Sequence, residues 1–459
     1  MKKILIRAGM SVFNEYETAE ILAKNLIGNN IGNLIFSYSM MRTLMTEDTL
    51  IDTIMTTQEK TDEEIDFINS EYDCFVLPLA NAFRVSFMKE LKIITNLVKK
   101  LTIPCIVVGV GIQAGVDENI EKEFEFDQVA KEFVDAVLEK SNKIGVRGEI
   151  TGRYLTKLGF KKEEDFTVIG CPSMYLHGAK LPELRVTEIT KDSKISLNWR
   201  MGLPNKVNDF IQKSIQEMSN YQYVPQVLDE IRLMYYGVPF PENKYKNIPS
   251  MYPASMKHKF YMEDKAVSFM NVKSWMEYLK TKDLSFGTRI HGNIVSILAG
   301  TPCLIVASDA RVQELAEYHN IPHILYTNID KDTDLFDLCK ETDFSKIYDG
   351  HKERFEHFVG FLNENGLDHI YKEQLVVEEA PFDRKLKEVN LQPPLTPFVT
   401  ASADVQEKRI AEICDWHRYR MTIQKEAHKQ EVAFYKNEIK QLKKKKRSFV
   451  ERVYHKVFR

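Results

Sequence analysis

Ser285-Phe286-Gly287-Thr288-Arg289-Ile290-His291-Gly292-Asn293, an apolar helical pattern, and then Gly300-Thr301-Pro302-Cys303-Leu304-Ile305-Val306-Ala307-Ser308-Asp309 decide how this chain is read. The pattern is strand, polar turn, helix and second buried strand. Such a βαβ unit brings its polar loop out at the carboxyl edge of a parallel sheet, where open α/β folds bind ligands. Arg289 and His291 lie two residues apart in that loop. A guanidinium fork fits a carboxylate or phosphate, and imidazole can donate to the same anion or exchange a proton near neutral pH. The flanking glycines allow close backbone approach, and a helix expected to begin near Asn293 adds free N–H groups. The competing reading has His291 capping or packing beneath that helix.

Working outward, apolar runs alternate with helical patterns. Ile4 to Ile6, Asp73 to Pro78, Ile103 to Val110, Lys143 to Arg147 and Thr167 to Ile169 read as strands of a first half. Ile195 to Trp199, Tyr221 to Pro225, Asp283 to Phe286, Pro302 to Val306 and Pro322 to Leu325 read as strands of a second. This alternation predicts α/β architecture with parallel sheets covered by helices. We expect two Rossmann-like, doubly wound domains facing across a cleft, at 1–185 and 194–375, then a Pro-containing linker at 376–400 and a helical extension at 401–459.

The R-x-H-G turn, the following Ala299-Gly300-Thr301-Pro302 and Ser308-Asp309 resemble the C-terminal signature of the polysaccharide pyruvyl transferase family, whose fold is GT-B-like. Asn30-Ile31-Gly32-Asn33, Cys105 to Gln113, Ile144 to Glu149 and Val168 to Ser173 resemble further family segments, so the resemblance spans roughly Met1 to His323. Gly148 and Cys171 stand where many members have Asp, and roles of those acids do not transfer. The long segment Tyr221 to Lys280 suggests an acceptor-side insertion.

The resemblance implies transfer of a pyruvyl group from phosphoenolpyruvate to a sugar, as a ketal, with no cofactor and no metal. On that reading Arg289 and His291 bind the donor, with His291 on the phosphate or as general acid. Gly292, Asn293, Ser308, Asp309 and Arg147 join them on the donor side, although Arg147 could instead pair with Glu149 and Asp309 could cap a helix near Val312. Asn30, Gly32, Asn33, Arg200 and Gln226 are acceptor-side candidates, Glu230 is a candidate base, and Trp199 could stack on a sugar ring or belong to the core.

With 44% apolar and 28% charged residues, the composition is that of a globular protein. No run of roughly 18 apolar residues exists to span a bilayer. The start Met1-Lys2-Lys3-Ile4-Leu5-Ile6-Arg7 reads as a strand rather than a secretory signal. Six scattered cysteines without a C-x-x-C pair fit a reducing, cytoplasmic setting. The net charge is −3, yet residues from 401 onward carry about eight more basic than acidic groups, leaving about −11 on the first 400.

Beyond the stiff Pro393-Pro394-Leu395-Thr396-Pro397, a long helix is expected from Asp404 to Leu442. Lys443 to Arg447 then precede an apolar face of Phe449, Val450, Val453, Tyr454, Val457 and Phe458. That pattern fits a helix lying in an anionic membrane surface, and equally a solvated end or a partner-protein contact. The expected partners are therefore phosphoenolpyruvate, a polysaccharide or lipid-linked sugar acceptor, an anionic membrane at the inner face of the cell and a homo-oligomeric copy, but no nucleic acid. A nucleotide-sugar glycosyltransferase and a non-catalytic scaffold of polysaccharide assembly stay open as alternatives.

Overall fold

Two parallel sheets repeat one strand order. The computed structural model describes residues 1–422 except 117, 242, 243, 246 and 247, together with 424, 425, 429 and 432. In the first half β1 (Lys2–Arg7), β2 (Thr49–Ile54), β3 (Cys74–Pro78) and β4 (Cys105–Val108) pair in the order β2-β1-β3-β4. A parallel bridge from Val110 to Val146 continues onto β5 (Ile144–Val146) and β6 (Phe166–Val168). In the second half β7 (Ile195–Asn198), β8 (Tyr221–Tyr223), β9 (Leu284–Gly287), β10 (Cys303–Ala307) and β11 (His323–Leu325) pair as β11-β10-β9-β7-β8. Each sheet thus reverses direction once, between β1 and β3 and between β7 and β9. Ligands of such sheets bind outside the carboxyl ends at that reversal.

The sequence explains the layers. β3 and β4 are buried along their whole length, as strands covered on both faces must be. Alternate residues sort to opposite faces: Ile4, Ile6, Val76, Ile106 and Val108 join the larger apolar cluster, while Leu5, Phe75, Leu77, Cys105 and Val107 join the smaller. The larger cluster also takes Leu197, Phe286 and Ile305 of the second sheet. The helix Gly32–Leu44 lies in this shared core with all but Asn33 buried, and two of its polar members are satisfied inside: Ser37 donates to backbone carbonyls and Arg42 pairs with Asp383. Two Rossmann-like halves facing a common cleft, the GT-B-like arrangement, are the fold of this chain.

Two expectations change in detail. The edge strand β2 was not foreseen. The segment 376–400 packs back on the body: Arg42 pairs with Asp383 at 2.8 Å, and Leu395 bridges Ser268. Among the described residues of the segment Tyr221 to Lys280, Gln226 and Val227 line the cleft. Residues 1–401 form one compact unit and 402–459 a second. In the second, 403–422 are helical. The rest of the expected long helix and the basic amphipathic tail lie outside the described residues, among which no helix is long and apolar enough to cross a membrane.

Candidate active site

Both sheet reversals open onto one cleft of about 490 Å³. Arg7 ends β1 and Ala8 follows it, Leu79 to Ala82 follow β3, Arg200 follows β7, and Thr288 to His291 follow β9. Six arginines line it: Arg7, Arg84, Arg147, Arg200, Arg289 and Arg311. Such a set is costly without anions, because each buried guanidinium forfeits hydration. Four of the six are held by acids: Arg7 by Glu90, Arg289 by Glu230, and Arg200 and Arg311 by Asp309.

Arg289 is one of these. Its Nη2 donates to Glu230 Oε1 at 2.6 Å, and Tyr252 donates its hydroxyl to the same oxygen at 2.6 Å. Glu230 Oε2 accepts from the backbone N–H groups of Gln226 and Val227 at 3.0 and 3.1 Å. Glu230 is 1% exposed, so its lone pairs are filled and its reading as a base on the acceptor is corrected: it anchors Arg289. Tyr252, from the long insertion, locks this pair from behind.

Arg200 and Arg311 share Asp309, at 3.3 and 2.9 Å. Asp309 also caps the helix Ala310–Tyr318 by accepting from Val312 N at 3.1 Å, and Ser308 accepts from Arg200 at 3.0 Å. Ser308 and Asp309 therefore hold arginines in place and do not line the cleft. Asp309 is held below its usual range: burial raises it, and Arg311 and Arg200 overcome that.

Arg147 is different. It is 1% exposed, its Nε donates to Gly109 O at 3.3 Å, and its Nη2 has no partner among the described residues. Glu149 pairs with Lys162 instead. Gly111 makes the pose possible, since a Cβ there would sit 2.5 Å from Arg147 Cδ. Beside it Glu314 accepts from Thr151 N and Oγ1, both at 2.9 Å, and burial pushes its carboxyl up to about 7. The Cβ that Gly148 lacks would lie 2.7 Å from Glu314. A buried carboxyl from position 314 therefore occupies the space that a side chain at 148 would need.

His291 lies in the first turn of the helix Ile290–Leu298, which starts earlier than the expected Asn293. Its Nε2 is 3.9 Å from Cys171 Sγ. Burial, then Arg147 and Arg311, push its pKa down to about 3, so the imidazole is neutral near pH 7. Gly32 leaves room for it, because a Cβ there would lie 2.8 Å from His291 Nδ1. Gly32→Ala is expected to tilt the ring and lower turnover by about 10- to 100-fold, with little change in melting temperature; unchanged turnover would show that the ring is not held there for chemistry.

The remaining candidates divide by burial. Asn30, Asn33 and Gln226 line the cleft, and Gln226 Nε2 is buried without a partner. Gly32 and Gly292 are spacers: a Cβ on Gly292 would meet Gln226 Nε2 at 2.3 Å. Asn293 is fully buried and bonds Ser285, Asn198 and the Arg289 carbonyl, so its place among donor ligands is corrected. Trp199 is 1% exposed, donates to Asn208 at 3.1 Å and packs on Tyr252; no face is left to stack on a sugar. Arg311, Arg84 and Arg7 were not foreseen. The signal for Arg311 was a cation in the first turn of a helix, where the dipole favours acids.

The family model for polysaccharide pyruvyl transferase matches residues 84–310, which include Arg84, Arg147, Arg200, Arg289 and His291 of the cleft but not Arg7 or Arg311. This segment is that of the polysaccharide pyruvyl transferase family. No curated protein matches the chain significantly. Among solved structures it is similar to UDP-GlcNAc 2-epimerase of Methanocaldococcus jannaschii, with 12% identity over 79% of this chain and 99% of that one, TM-score 0.42. Sucrose-phosphate synthase of Thermosynechococcus elongatus is 10% identical over 80% and 98%, TM-score 0.39. Likenesses this distant carry no argument about the ligand.

Buried neutral histidines also set an acid limit. His351 and His369 are pushed down to about 4, each chiefly by burial, alongside His291 at about 3. An unfolded chain takes up these protons near the ordinary value of 6.5, whereas the folded one does not until far lower. Stability is therefore full above that value and falls as pH drops toward 4. Melting curves at pH 7.5 and 5 should show a clear loss at pH 5; equal curves would contradict the buried neutral state.

Proposed function

We propose that the cleft binds phosphoenolpyruvate at Arg147, His291 and Arg311 and transfers its pyruvyl group to two hydroxyls of a sugar in a polysaccharide or its lipid-linked precursor. The observation that carries this reading is the buried Arg147, whose Nη2 lacks a partner among the described residues, lining the cleft with His291 and Arg311. A trianionic donor needs more than one cation, for phosphate and for carboxylate. Arg289 and Arg200, pinned by Glu230 and Asp309, add fixed positive charge without moving.

In the reaction a sugar hydroxyl adds to C2 of the enolpyruvyl group and a proton is added at C3. The second hydroxyl then displaces phosphate from C2, giving the ketal and inorganic phosphate. His291 is the candidate proton carrier. Its depressed basicity comes in part from Arg147 and Arg311, and a bound dianion offsets both, raising its proton affinity when donor is present. Gln226 and Asn30 offer neutral hydrogen bonds to the acceptor.

The test is incubation of the full chain with phosphoenolpyruvate and lipid-linked or free oligosaccharides, following inorganic phosphate and the ketal by mass. Acceptor-dependent phosphate with an equal yield of ketal is expected. Sugar transfer from a nucleotide sugar, with no ketal, would replace this reading by glycosyl transfer.

A further inference from the structure

The donor reading leaves part of the cleft's charge unused. Arg7, at the end of β1, and Arg84, beyond β3, both lie against the Phe87 ring, with their Cζ atoms 5.8 and 5.4 Å from its centroid. Arg7 donates to Thr56 Oγ1 at 2.8 Å and to Glu90 at 2.5 Å. With its amide oxygen turned toward the cations, Asn81 accepts from Arg84 Nη1 at 2.9 Å and Arg311 Nη1 at 3.1 Å. Arg84 makes no ion pair among the described residues, and its Nε is buried without a partner.

Two guanidiniums on one aromatic shelf, with a third across a shared amide, repel one another, and burial followed by Arg311 depresses Arg84 as a cation. Folding alone gains little from that arrangement. An oxyanion seated between the forks would satisfy it by charge-assisted hydrogen bonds. The position is the first sheet's own reversal point, where its ligand belongs, while the donor residues come from elsewhere: Arg147 follows β5, His291 lies in the helix after β9 and Arg311 in the helix after β10.

We infer that Arg7 and Arg84 form a second oxyanion subsite, which takes a phosphate or carboxylate group carried by the acceptor sugar. The inference rests on the pyruvyl-transfer reading for the word acceptor, and it makes the acceptor class anionic: a phosphorylated or diphosphate-linked sugar, or a uronic acid.

The test is calorimetric titration of the full chain with methylenediphosphonate and, separately, glucuronate, with and without saturating phosphoenolpyruvate. Wild type, Arg84→Gln, Arg84→Lys and Arg147→Gln are compared, with melting curves as the control for folding. At least one probe should bind with the donor present. Arg84→Gln should weaken it about tenfold or more while phosphoenolpyruvate affinity stays within about twofold, and Arg147→Gln should do the reverse. Arg84→Lys keeps the charge without the fork and should fall between. Preference for the diphosphonate assigns a phosphate source and preference for glucuronate a uronic one. No uptake of either probe beside the donor, or uptake indifferent to Arg84→Gln in a folded protein, would overturn the subsite. Failure of phosphoenolpyruvate to bind wild type, with probe binding still lost in Arg84→Gln, would sink the transfer reading and leave the subsite standing.

Discussion

Arg147→Gln is expected to lower phosphoenolpyruvate affinity by about 100- to 1,000-fold, the loss of charge-assisted bonds to a bound anion, without lowering the melting temperature. Both halves follow from its geometry. The guanidinium is buried, its Nη2 is unpartnered among the described residues, and its one side-chain hydrogen bond, to Gly109 O, is long at 3.3 Å. A structural arginine would be satisfied by neighbours, and its removal would leave a hole or an orphaned acid. The nearby acid Glu314 already holds two hydrogen bonds from Thr151 and has a carboxyl raised to about 7, so it can become neutral when the cation leaves. Removing an uncompensated buried charge spares its desolvation cost, so stability is expected to hold. A variant that melts lower and still binds donor would make Arg147 a structural residue and remove the observation on which the donor site rests.

Glu230→Gln should do the opposite. It breaks a buried pair whose other member, Arg289, has no second acid, and an uncompensated charge at such a site costs about 3–5 kcal/mol. Tyr252 would lose its charged acceptor at the same time. The expected outcome is a large fall in melting temperature, together with weakened donor binding as Arg289 leaves its position at the start of the helix Ile290–Leu298. If Glu230 were the base of the reaction, the variant would keep its stability and lose turnover alone. Measuring both quantities on one preparation separates the two roles.

Much of the fold could be read from sequence because parallel strands covered on both faces leave nearly continuous apolar runs, such as Cys105 to Val108. β2 escaped because Thr49-Leu50-Ile51-Asp52 at a sheet edge alternates exposed and buried residues and carries an acid. At the site, the R-x-H turn was legible because strand, loop and helix start are contiguous in the chain. Which polar residue faces the cleft was not legible, since that depends on partners far away in sequence. Glu230 is turned inward by Arg289 and Tyr252, and Asn293 by Asn198. Trp199 is covered by Tyr252 of an insertion whose path no local pattern reveals.

With Cys171 rather than an acid beside its Nε2, the proton affinity of His291 is set by burial and then by Arg147 and Arg311. The cleft therefore keeps the imidazole neutral near pH 7, and the donor's own charge is what would recruit a proton to it. Because bound donor raises the proton affinity of His291, donor affinity and turnover are both expected to fall as pH rises through the value His291 takes in the complex.

The most direct measurement is calorimetric titration of the full chain with phosphoenolpyruvate, repeated on Arg311→Gln, the cation that the turn motif alone does not reveal. The account predicts saturable micromolar binding at one site, lost in the variant while the melting temperature stays within a few degrees. Absence of phosphoenolpyruvate binding, with a nucleotide sugar taken up instead, would contradict it.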